Sequence, residues 1–229
     1  MKRADLLARL VDEISKRKKA TTPLRVGIDG RCASGKTTVA DELASAITLR
    51  HPELEILRPS VDGFHHMKAH RYRQGEYSGR GYYEDAFDYQ AIVECVLRPL
   101  SSDEFPALCR QVAHDWRTDM AHDAPPISVG TNAVLLFDGV FLFRRELDPY
   151  WDLRVLVEVD AKTSIERAVQ RDAADGRDVI EREYRLRYEP AWLIYLERES
   201  PDLKADLIVH NRDLFDPAVS WRLGSSACR

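Results

Sequence analysis

The eight residues Gly30-Arg31-Cys32-Ala33-Ser34-Gly35-Lys36-Thr37 constrain this chain more than any other segment. They match G-x-x-x-x-G-K-[ST] without departure, a pattern that arises by chance in on the order of one in a hundred chains of this length. The β-type run 24–29 precedes them and a helical pattern over 37–49 follows, which is the setting the motif requires. Gly30 and Gly35 let the backbone take conformations that side chains would block, so successive N–H groups, those of Ala33 and Ser34 among them, can point at one anion. The helix N-terminus adds partial positive charge, Lys36 reaches the β- and γ-phosphates, and the Thr37 hydroxyl is a Mg²⁺ ligand. Thr38 is placed to touch an inner phosphate, and Cys32 reads as a spacer. The loop therefore predicts binding of ATP or GTP.

Further short apolar runs lie at 54–59, 133–137, 153–159 and 205–209, separated by helix-like stretches at 87–97, 161–173 and 179–196. Alternating strands and helices predict an α/β fold, a parallel sheet covered by helices. Residues 1–20 carry Leu6, Leu7, Leu10, Val11 and Ile14 at helical spacing and read as an amphipathic helix ahead of a single domain over 21–229. The polar stretches 72–85 and 101–128 read as long irregular loops, a length that usually marks function.

With 229 residues, 44% of them hydrophobic, the chain is able to bury a core, and a net charge of −4 disfavours nucleic acid as partner. Small molecules are the expected partners. Cys32, Cys95, Cys109 and Cys228 show no metal spacing and fit a reducing cytoplasm. No apolar run approaches the roughly 20 residues of a membrane span, and the charged opening segment does not read as a leader.

Two acids follow strands. The run 133–137 ends in Asp138, the position beside the metal in Walker B arrangements, and Asp62 in Ser60-Val61-Asp62-Gly63-Phe64-His65 would stand at the carboxyl edge of the sheet, where open α/β folds bind ligands. Arg167 and Arg171 lie four apart on one helix face, with Arg177 beyond Gly176, a cationic face able to close over triphosphate.

At this point the sequence resembles the uridine kinase and phosphoribulokinase family of P-loop kinases. The matching pieces are GIDGRCASGKTTVADEL, SVDGFH, EDAFDYQAIVECVLRPL, VLLFDGVFL, ERAVQRDAADGRD and ADLIVHN, in that order along most of the chain. The resemblance implies a doubly wound parallel five-stranded sheet of order 2-3-1-4-5 with a helical lid near 167–190. It also implies phosphoryl transfer from ATP with Mg²⁺ to an alcohol, with Asp62 taking the acceptor proton, Asp138 as the Mg²⁺-linked acid, and Lys36 and Arg171 acting on the transferred group. The implied acceptor side comprises Asp62, Phe64, Tyr82, Tyr83, His114 and Arg117. A homo-oligomer is left open.

The resemblance breaks at the acceptor. Where uridine kinases carry F-D-H-P-D-A-F-D, this chain reads Gly81-Tyr82-Tyr83-Glu84-Asp85-Ala86-Phe87-Asp88, so Tyr82 replaces the acid that helps hold ribose. Where they carry Y-D-x-x-x-H against the base, it reads His114-Asp115-Trp116-Arg117-Thr118-Asp119. DGFH is similar to pantothenate kinase and sugar-kinase-like branches, and Arg71, Arg73, Arg80 and Arg117 flank the region, which admits a phosphorylated or carboxylated acceptor as well as solvated loop arginines. A regulatory P-loop protein that binds nucleotide without a phosphoryl acceptor is the rival from another class; it would have Asp62 turned away and the cleft closed.

Overall fold

The computed structural model describes residues 2–221; Cys228 lies outside them. Its centre is a sheet of β1 (Leu24–Asp29), β2 (Glu55–Leu57), β3 (Ala133–Gly139), β4 (Leu153–Glu158), β5 (Leu207–His210) and β6 (Ala218–Trp221), ordered β6-β5-β4-β1-β3-β2. The first five strands are parallel in the expected order 2-3-1-4-5, and β6 adds an antiparallel edge beyond them. This sixth strand was not expected: its residues alternate between exposed and half-buried, so it lacks the continuous apolar run that marks the others.

Strand β3 is buried along its whole length because both faces are covered. Val134 and Leu136 point to one side, where α1 (Arg3–Arg17) and α2 (Lys36–Arg50) pack through Leu6, Leu10, Ile14, Val39, Leu43 and Ile47. Leu135 and Phe137 point to the other, into a larger core built with α3 (Gly79–Asp85), α4 (Tyr89–Ile92, continuing as a π-turn over Val93–Leu97) and the segment after α5 (Ala161–Arg171). That segment, α6, runs as Arg177–Glu183, a π-turn at Tyr184–Tyr188, and Glu189–Glu199.

The apolar stripe of the N-terminal amphipathic helix, α1, is part of the core, and Arg3 pairs with Glu42 of α2 at 2.7 Å. The stretch 72–85 is not wholly irregular: Ser78 caps α3 by accepting from the Gly81 N–H at 2.9 Å, and Gly79 and Gly81, which read as loop residues, are buried in the helix. The stretch 101–128 carries two small antiparallel ribbons, Ala107–Cys109 with Ile127–Val129 and His114–Asp115 with Met120–Ala121.

Candidate active site

The glycine-rich loop leaves β1 at Asp29, which is wholly buried and accepts from the Gly30 N–H (2.7 Å), the Tyr195 hydroxyl and, at 3.4 Å, the Phe143 N–H. Burial pushes the Asp29 carboxyl up to about 6, against the opposing hydrogen bonds. A Cβ on Gly30 would lie 2.4 Å from the Val157 carbonyl oxygen, so only glycine lets the turn sit on the sheet edge. Gly35 enters α2 at φ +90°. The outward carbonyls are fastened: Ser164 Oγ donates to Cys32 O (2.6 Å), and Asn211 Nδ2 and Arg167 Nη1 donate to Ser34 O (2.8 and 3.2 Å). Asn211, buried just after β5, in turn accepts from Arg3 Nη1 at 2.9 Å.

Helix α2 starts at Lys36, so the N–H groups of its first turn have no partner within the helix and face the loop's hollow. Ser34 Oγ is buried beside Gly30, without a hydrogen-bond partner among the described residues. Among the described residues Lys36 Nζ has a 3.5 Å contact to Arg31 O and no ion pair, leaving its charge available. Thr37 Oγ1 donates to Asp138 Oδ2 at 2.6 Å, and Asp138 Oδ1 accepts from Arg58 Nη1 at 3.0 Å. Hydroxyl and carboxylate side by side suit Mg²⁺, which takes few protein oxygens and completes its shell with phosphate and water.

Across the cleft, the one-turn helix Val61–Phe64 follows Ser60, which bridges to Asp138, so Asp62 stands near both Asp138 and the loop. Its side chain is 67% exposed at the cleft, while protein crowds its other sides. That desolvation raises its pKa above the ordinary carboxylate value; Lys36 opposes the rise, Asp138 adds to it, and Arg117 and Arg171 oppose it. His65 Nε2 lies 3.7 Å from Asp62 Oδ1, but burial lowers the imidazole to about 4, so the ring is neutral and no ion pair forms at neutral pH.

The cleft holds about 250 Å³ and is lined by Ala33, Lys36, Thr37, Asp62, Asp138 and Arg171 at one end and by His65, Arg71, Tyr72, Tyr82, Trp116 and Arg187 at the other. Of the residues singled out in the sequence, it thus gathers the loop, both acids, Arg71, Arg171 and Tyr82. Arg171 also pairs with Asp172 at 2.6 Å. Others lie elsewhere. Tyr83, next to Tyr82 but turned to the other side of α3, is a core residue whose hydroxyl faces Glu199 at 3.4 Å. Phe64 is buried against Phe137. His114 is buried, 3.1 Å from Asp119, in the ribbon behind the cleft wall. Arg117 stacks on Trp116 at the rim (4.6 Å). Arg177 pairs with Glu181 on the outer surface, and Arg167 braces the loop's carbonyl side. Thr38 is exposed on the first turn of α2 and does not line the cleft. Cys32 lines the cleft 3.7 Å from the Tyr82 hydroxyl, its thiol pushed up by burial, which removes it as a nucleophile. Sequence reasoning missed Arg58, Arg187 and Tyr188. Nothing in an Arg- and Glu-rich helix separates a buried arginine from a solvated one, and the π-turn that brings Arg187 and Tyr188 to the cleft together has no sequence signature.

The Phosphoribulokinase / Uridine kinase family profile matches residues 25–212. The chain belongs to this family. It is 30% identical over 162 residues to uridine-cytidine kinase B of Dictyostelium discoideum, a match covering 69% of this chain and 62% of that protein, and it spans about a third of several longer curated relatives. In structure it is similar to a possible uridine kinase from Bacillus stearothermophilus (TM-score 0.67, 25% identity, 90% of this chain and 97% of that one). The fold is shared with phosphoribulokinase from Rhodobacter spheroides (TM-score 0.54, 14% identity, 83% and 70%). No helix among the described residues is long and apolar enough to cross a membrane.

Proposed function

We propose that this chain is a small-molecule kinase that moves the γ-phosphoryl group of ATP to a hydroxyl of a nucleoside or related metabolite. The observation that carries this reading is one cleft lined by an unpaired lysine, a hydroxyl–carboxylate pair 2.6 Å apart and, facing them, a carboxylate open to an acceptor pocket. The loop N–H groups and Lys36 hold the phosphates, and Thr37 and Asp138 would hold Mg²⁺, which supplies charge neutralisation when bound. Asp62 orients the acceptor hydroxyl and takes its proton, helped by its raised pKa, and Arg171 draws charge from the transferred group. Most of the rate comes from positioning and fixed charge. Asp62 faces an open cleft, which speaks against a pure nucleotide switch. Tyr82 in place of a ribose-holding acid speaks against uridine itself. The unpaired Cys32, Cys95 and Cys109 accord with a reducing cytoplasm.

The test is acceptor-dependent release of ADP from ATP and Mg²⁺ with nucleosides, pantothenate and sugars as acceptors. Lys36→Ala, at the edge of the loop and outside the core, is expected to keep its circular dichroism spectrum and lose nearly all turnover. Wild-type turnover in that folded variant would exclude the mechanism.

A further inference from the structure

The cleft end away from the glycine-rich loop contains two cations without an ion-pair partner among the described residues. Arg71 and Arg187 are each about nine-tenths buried and both line the cleft, yet neither has a carboxylate within ion-pairing distance among the described residues. Arg71 donates from Nη2 to the Trp116 carbonyl at 3.0 Å, while its Nε is buried with no partner. Arg187 is surrounded by aromatic faces, its guanidinium 4.7 Å from the Tyr72 ring, 4.9 Å from Tyr82 and 5.6 Å from Tyr188. Arg71 lies 5.3 Å from the same Tyr72 ring, so the two guanidinium groups flank one aromatic side chain.

Buried charge without a counter-charge is costly, and the other buried arginine among the described residues, Arg144, is paired with Glu146 at 2.9 Å. Cation–π contacts offset part of the cost; Arg187 also hydrogen-bonds Tyr72, while the Arg71 Nε–H has no partner among the described residues. The groups also sit on the acceptor side. Arg71 bonds to Trp116, the Trp116 ring lies 6.0 Å from His65, and His65 abuts Asp62. Lys36 and Arg171 already serve the nucleotide end.

We propose that Arg71 and Arg187 form an anion-binding half of the acceptor site, so that the alcohol phosphorylated here carries a phosphate or carboxylate group besides its reacting hydroxyl. This rests on the kinase reading and narrows its acceptor from neutral nucleosides to anionic alcohols. Arginine forks bind either anion in two-point geometry, and Tyr82 keeps the position beside them free of negative charge.

The experiment compares matched acceptors with the full chain: ribose against ribose 5-phosphate, glycerol against glycerate, and uridine. The charged member of a pair is expected to exceed its neutral counterpart about 10²-fold in kcat/KM, the pair that responds telling phosphate from carboxylate. Arg71→Gln and Arg187→Gln should erase that preference while the KM for ATP stays within about threefold, and Arg71→Lys should restore part of it. If no compound in the panel is phosphorylated, protein saturated with Mg²⁺ and a non-hydrolysable ATP analogue is titrated with inorganic phosphate and with acetate, followed by tryptophan fluorescence. Saturable binding that Arg71→Gln abolishes supports the proposal. Efficient uridine phosphorylation untouched by both substitutions overturns it and leaves the kinase reading intact, as does the absence of saturable anion binding. Failure to bind ATP, or a Lys36→Ala variant as active as wild type, removes the kinase reading itself.

Discussion

Asp62 combines exposure at the cleft with surroundings that disfavour its charge. Its raised pKa has a direct kinetic consequence: as the proposed base it must be ionised, so kcat/KM is expected to fall as pH drops through a value above the usual carboxylate range of about 4. Asp62→Asn keeps the shape and removes the base; acceptor phosphorylation is expected to fall by roughly 10²-fold or more, with ATP affinity little changed. Single-turnover kinetics separates the two, and wild-type turnover would reduce Asp62 to a turn residue. Asp29 makes the opposite use of burial. Its folded pKa of about 6 lies above the 3.8 of an unperturbed aspartate, so the folded state binds the proton more tightly and this group destabilises the fold increasingly as pH rises between those values. Relative to Asp29→Asn, the wild-type protein should therefore lose about 2–3 kcal/mol between pH 4 and pH 6.5, at roughly 1.4 kcal/mol per pKa unit. Urea denaturation at a series of pH values reads the difference; a constant gap would mean that Asp29 is ionised throughout.

At the scale of elements, what the sequence disclosed followed from how continuous each pattern was. Strand β3 is buried along its whole length and β1 and β4 nearly so, each showing as an apolar run that Arg25 or Arg154 interrupts only once near its start, and α2 is announced by the loop that opens it. Helix α3 is not legible, because Gly79 and Gly81 have low helix propensity and hold their place through tertiary packing and the Ser78 cap. Helix α1 was legible as a helix but not as core, since an amphipathic stripe does not say what covers it. Leu10 is fully buried between α1 and the sheet, so Leu10→Ala should cost about 2–5 kcal/mol and shift a single cooperative transition. A separate early transition for α1 would show that 1–20 folds apart from the rest.

On the scale of the whole molecule, the fold brings the carboxyl edges of β1 and β3 together, and Asp138 and Asp62, which the sequence puts after strands, both line the cleft at that edge. The far wall was misjudged because it is assembled from segments distant in the chain, where neighbours such as Tyr82 and Tyr83 part company according to which side of one helix turn they occupy. The same assembly ties the glycine-rich loop to Asn211, 177 residues from Ser34, and through it to Arg3. Asn211→Ala would strip partners from the Ser34 carbonyl and from Arg3. With about 1–3 kcal/mol per lost partner, ATP affinity measured by calorimetry is expected to drop about 10-fold; unchanged affinity would make the tie ornamental. The tie also bears on biosynthesis. A ribosome releases the loop early, yet the residue that sets its carbonyls emerges last among the loop's supports, so a nascent or prematurely terminated chain would hold the whole phosphate-binding motif and still grip nucleotide poorly. Tight nucleotide capture would then report that translation has passed β5, and nucleotide would protect finished chains from proteolysis while leaving fragments exposed.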